Sequence, residues 1–151
     1  MISSALVPSR ATVVLDDRVL IEELLVGLRA ESIGLTTTAY WYYRASRAAV
    51  LGAGGHLSGP FERVNDDDQQ RAITSLLQLR DDIALPDPRR TVPEMVAIAG
   101  RHPRLNLLNL EAVAVGRLLG ATMWLSEETT RGILPAVLEA ENVAWETITI
   151  P

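Results

Sequence analysis

One stretch, RLNLLNLEAVAVGRLLGATMWLSEE from Arg104 to Glu128, constrains the fold more than any other. Leu108, Ala112, Val115 and Leu119 recur at helical spacing, with Leu107, Leu110, Val113, Ala114 and Leu118 beside them. This pattern predicts a largely buried helix over 105–119. Gly120 supplies its C-terminal stop. Ala121–Leu125 then reads as a strand, with Ser126, Glu127 and Glu128 at its carboxyl end. A buried helix feeding straight into a buried strand is the unit of an α/β sheet.

The amino-terminal part repeats the unit in the opposite order. Thr12–Leu15 is a β-branched apolar run suited to a strand buried on both faces. Asp16 and Asp17 end it, and Val19, Leu20, Leu24, Leu25 and Leu28 follow at helical spacing. Asp16 thus lies where a strand hands over to a helix. Two roles are open for it: an N-cap accepting backbone N–H groups, or a ligand at the carboxyl end of a strand, where open α/β sheets bind.

Ile33–Thr38 reads as a second strand and the next helix cap, and Ala39–Leu51 as a helix. Tyr40, Trp41, Tyr42 and Tyr43 are consecutive in it, so the four rings cannot all face one core. Some must reach the surface, either as base-stacking groups beside Arg44 and Arg47 or at a homodimer contact. GAGGHLSGP from Gly52 reads as a flexible connection without a phosphate-loop motif, and His56 as a loop residue. Asp66, Asp67 and Asp68 suit the start of a helix. Pro86, Pro88 and Pro93 predict breaks between helices, and Thr91 with Glu94 forms a capping-box pattern. Arg101, His102 and Arg104 make the most basic local patch. A last helix over 133–141 and a last strand over 143–150 complete the alternation.

The 151 residues suit one domain, 1–151, with a substantial core, and no repeat or linker divides them. No apolar run reaches the length of a membrane span, and the amino terminus lacks the pattern of a signal peptide. There is no cysteine, which excludes disulfides and thiolate metal sites, and a cytoplasmic location is expected. A net charge of −5 opposes a generally basic nucleic-acid-binding surface, although all 14 basic residues are arginine, the residue suited to bidentate phosphate contacts.

The two ends of the chain together resemble the PIN-domain family of metal-dependent ribonucleases. VVLDDRVL matches the family's first strand, which ends in Asp; here that residue is Asp16, and Arg18 stands where the family has Ser, Thr or Asn. LLNLEAVAVGRLLGATMWLSEE is similar to the family's later signature, which runs like LLDAEAVAVARRLGATLVTDD. Asn109 replaces the family's Asp, Ser126 its usual Thr, and Glu128 or Glu127 its last Asp. The central glutamate of the family falls near Tyr43 or Arg44, where this chain has no acid. The resemblance implies a three-layer α/β sandwich with a mainly parallel central sheet. It also implies a site built on Asp16, Asn109 and Glu128, with Asp16, Glu128 and Glu127 toward Mg²⁺ or Mn²⁺. Arg44, Arg47, Arg101 and Arg104 are the candidate contacts to RNA.

Two functions are expected from this set. In the first, the missing acids leave metal-dependent RNase activity weak or lost, and the chain serves as a nucleic-acid- or protein-binding module. In the second, it is an active Mg²⁺- or Mn²⁺-dependent endoribonuclease of toxin–antitoxin type, with RNA as substrate and an antitoxin-like protein as partner.

Overall fold

The computed structural model describes residues 11–28, 32–51 and 58–150. The expected readings at residues 52–57, including His56, lie outside these. Five strands form one sheet: β1 (Ala11–Leu15), β2 (Ile33–Thr37), β3 (Ile83–Ala84), β4 (Thr122–Leu125) and β5 (Trp145–Thr147). Their order is β3-β2-β1-β4-β5 and every pairing is parallel. The helices among the described residues are α1 (Asp17–Leu25), α2 (Ala39–Leu51), α3 (Gly59–Glu62), α4 (Asp66–Leu77), α5 (Pro88–Arg101), α6 (Leu107–Leu119), α7 (Glu127–Thr130) and α8 (Leu134–Ala140).

Strand alternation divides the interior into two cores. Val13 and Leu15 of β1 face one side with Leu35 and Ile83, under α1, α2 and α4. Val14 faces the other with Met123 and Leu125, under α5, α6 and α8. The molecule is therefore a three-layer α/β sandwich, and its sheet is wholly parallel rather than mainly so. No helix among the described residues is long and apolar enough to cross a membrane.

The run of four rings is resolved by these two cores. Trp41 is buried in the α5–α6 core, while Tyr42 packs against the other and donates its hydroxyl to the Leu76 carbonyl. Tyr40 and Tyr43 are exposed.

Helix α6 ends at Gly120, whose φ of 57° is the left-handed conformation that glycine adopts without strain. Gly116 lets the same helix approach the sheet closely. A Cβ there would lie 2.7 Å from Val143 Cγ1 and 2.9 Å from Met123 Sδ. Gly116→Val is expected to destabilise the fold by about 1–3 kcal/mol through overpacking. A urea midpoint that does not fall would refute this.

Three local expectations are corrected. Pro93 does not break the chain but lies inside α5, on an exposed face. Its helix starts one turn earlier than the Thr91–Glu94 pattern suggests, with Asp87 capping the Arg89 N–H and Pro88 in the first turn. The exposed side lets water reach the carbonyl that proline leaves unbonded. Helix α6 begins at Leu107 rather than at 105, capped by Asn106, which accepts from the Asn109 N–H. The last strand is only Trp145–Thr147, shorter than the expected 143–150.

Candidate functional site

The chain leaves β1 toward one face of the sheet and β4 toward the other. The split opens a crevice between their carboxyl ends, the usual ligand position in such sheets. A cleft of about 210 Å³ lies there, lined by Asp17, Trp41, Arg44, Leu108, Asn109, Glu128, Thr129 and residues 132–134 leading into α8.

Asp16 sits beneath this cleft rather than in it, and is fully buried. Its Oδ1 accepts from the Val19 N–H at 2.8 Å, capping α1. Its Oδ2 accepts from the Ser126 N–H and hydroxyl, both at 2.7 Å, and from the Thr129 hydroxyl at 2.6 Å. Four donors thus meet one carboxylate, three at Oδ2 and one at Oδ1. Asp16 therefore caps its own helix and ties the end of β1 to the end of β4.

The buried carboxylate that lines the cleft is Asp17. Its side chain is only 4% exposed and its Oδ2 lies 3.1 Å from Arg44 Nε. Asn109 lines the same cleft, and its side chain makes no hydrogen bond to the described residues. Glu128 stands at the rim, half-exposed and paired with Arg131 at 3.1 Å. Glu127 is exposed and lines an adjoining cleft of about 290 Å³ with Arg18, Ser126 and Glu128. Of the expected trio, Asn109 and Glu128 line the cleft and Asp16 supports it from below.

The arginines separate. Arg44 lines the cleft, Arg47 is exposed one turn further along α2, and Arg104 is exposed in the α5–α6 turn. Arg101 pairs instead with Glu141 at the C-cap of α8, which also binds His102 and Arg117. Hydrogen bonds from Arg101, with His102 and the charge of Arg117, hold the Glu141 carboxyl down at about 2 despite its burial.

Mg²⁺ requires several hard oxygen ligands in near-octahedral array, and these residues do not fit one. Asp16 is fully buried and already accepts four internal hydrogen bonds, Asn109 is neutral, Asp17 faces a guanidinium, and Glu128 is drawn to Arg131. Among the described residues, no three His, Asp or Glu side chains are grouped to hold a metal ion.

Burial pushes the Asp17 carboxyl up to about 6, and the adjacent Asp16 charge adds to this; Arg44 and the Arg18 N–H only partly offset them. The native state then holds a proton that the unfolded chain releases near pH 4. Stability is fully present below that pH and falls as pH rises through about 6. Asp17→Asn is expected to abolish that slope and to gain on the order of 1–3 kcal/mol at pH 7 relative to wild type. Urea unfolding at pH 4.5 and 7.5 checks this; an unchanged slope would refute it.

Three site residues escape motif reading. Asp17 is visible only as the second member of the Asp16–Asp17 pair. Thr129 lies three residues after Ser126, on the same side of α7. Glu111 carries no signal at all, yet its buried carboxylate accepts from the Ala39 and Tyr40 N–H groups at 3.0 and 2.9 Å. It caps α2, the helix that carries Arg44.

No family model matches the chain, and no curated protein matches it.

Proposed function

We propose that this chain is a PIN-like protein whose metal-dependent ribonuclease activity is weak or lost, and which acts as a cytoplasmic nucleic-acid- or protein-binding module. The observation that carries this is the full burial of Asp16 and its engagement within the fold. The residue that matches the family's first metal-binding aspartate is spent on four internal hydrogen bonds. The exchange of a carboxylate for Asn109, and Arg44 beside Asp17, support the same reading by removing negative charge where a divalent cation would need it.

A second reading, an active endoribonuclease of toxin–antitoxin type with Mg²⁺ or Mn²⁺, is favoured by one observation. Asp17, Asn109 and Glu128 share a single cleft at the switch point of the sheet. Cleavage of a mixed RNA pool with and without Mn²⁺ separates the two, with Asp17→Asn as the contamination control. The expected outcome is slow or undetectable cleavage. Robust cleavage that disappears in Asp17→Asn would establish the enzyme.

A homodimer through α2 belongs to the same proposal. Tyr40, Tyr43 and Val50 are exposed along one stripe of the helix, with Tyr43 at 58%. Sedimentation at tens of micromolar, on the order of weak-association affinities, is expected to show a dimer that Tyr43→Glu dissociates. A wild-type monomer would refute it.

A further inference from the structure

The cleft carries a cation of its own, held by the chain. Arg44 meets Asp17 through Nε, on the side of the guanidinium. Its two terminal nitrogens make no hydrogen bond to the described residues, and the side chain remains 43% exposed. That terminal edge is the part that binds oxyanions bidentately.

Two further features face the same space. The Asn109 carboxamide is unengaged and offers two N–H donors. Leu108 and Asn109 belong to the first turn of α6, a 13-residue helix whose cap is the neutral Asn106. The starts of α1 and α2 are instead neutralised by buried carboxylates, Asp16 and Glu111. Helix α6 is thus the one of these three whose positive end has no carboxylate cap. Of the nearby carboxylates, Asp17 pairs with Arg44 and Glu128 with Arg131, while Asp16 lies buried beneath the cleft among four hydrogen-bond donors.

We propose that this cleft binds a phosphate group without a divalent metal, with Arg44 as the resident cation and the Asn109 carboxamide and the Leu108 N–H in the first turn of α6 as the remaining donors. The proposal deepens the binding-module reading by naming the chemistry that the cleft recognises. The phosphate could be free or belong to a nucleotide, and the two sources differ in whether Trp41, Leu108 and Leu134 gain contact with a base.

The test is a titration of the full chain by backbone amide NMR in EDTA, with inorganic phosphate, adenosine 5′-monophosphate and adenosine as separate probes. Shifts are expected at Arg44, Leu108 and Asn109, with a Kd on the order of 1 mM for phosphate. A nucleotide source predicts tighter binding of the monophosphate than of phosphate; a free-phosphate source predicts equal binding. Adenosine alone should bind at least about tenfold more weakly than the monophosphate. Arg44→Gln should weaken phosphate roughly tenfold or more, and Arg44→Lys should restore only part of it. Asn109→Asp, which leaves Arg44 in place, should also weaken it. Arg71→Gln on α4 should change nothing.

Phosphate shifts that survive both Arg44→Gln and Asn109→Asp would overturn the proposal, as would the absence of shifts in the folded wild type. Neither result would touch the loss of metal-dependent cleavage. Tight Mn²⁺ binding with RNA cleavage would defeat that reading instead.

Discussion

Asp16→Ala is expected to destabilise the protein by about 3–5 kcal/mol. The substitution removes a buried charge-assisted acceptor from four donors at once. The Val19 and Ser126 N–H groups are left buried without partners, and the Ser126 and Thr129 hydroxyls lose theirs. Loss of an N-cap alone costs about 0.5–2 kcal/mol, and an unsatisfied buried donor about 1–3 kcal/mol. These terms share one side chain and do not add fully. Asp16→Asn should cost less, because asparagine still caps α1 well. Urea midpoints measure both, and a loss under about 1 kcal/mol for the alanine variant would show that the network is not needed. Lost activity in Asp16→Ala would therefore report unfolding as readily as chemistry, which makes Asp17→Asn the better nuclease control.

The second large effect is a gain. Asn109→Asp combined with Arg44→Glu is expected to raise Mn²⁺ affinity by at least about a hundredfold and to make RNA cleavage measurable. Both side chains line the cleft, as do Asp17 and Glu128. The pair of changes removes one positive charge and adds two negative ones around a buried carboxylate. Such a cluster is tolerable only with a cation to neutralise it. Tyr43, the other residue near the family's central glutamate, is exposed and does not line the cleft, so Tyr43→Glu should not substitute for Arg44→Glu. Mn²⁺ titration by calorimetry decides the matter. No gain in affinity in the folded double variant would mean that the cleft geometry, and not its charge, prevents metal binding.

The order of elements was legible because two periodicities are strong in this chain. TVVL, the spacing from Leu108 to Leu119, and Gly120 each admit one local structure, and each takes it. Pieces too short to carry a period escaped notice, among them the two-residue β3 and the single-turn α3 and α7. Asn106 and Asn109 show a different limit. Both precede apolar residues at helical spacing and either could cap α6. Only the turn at 102–106, with Leu105 N–H bonded to the His102 carbonyl, decides for Asn106. Adjacent Asp16 and Asp17 were likewise indistinguishable by type. One caps the helix and the other begins it, so Asp16 is buried beneath the cleft while Asp17 lines it. The engagement of Asp16 with Ser126 and Thr129 depends on contacts more than a hundred positions away, which no local pattern encodes.

The strand order also sets a schedule. β1 lies at the centre of the sheet, but its second neighbour, β4, is made near the end of the chain, and Ser126 is 110 positions from the carboxylate it binds. Until those later residues are made, β1 waits on the ribosome with one hydrogen-bonding edge bare and Asp16 lacking three of its four donors. An unpaired apolar strand edge of this kind invites pairing with another nascent chain. A ribosome stalled before residue 122 would thus display a half-sheet prone to self-association, and emergence of β4 and Ser126 would close both that edge and the crevice in one step.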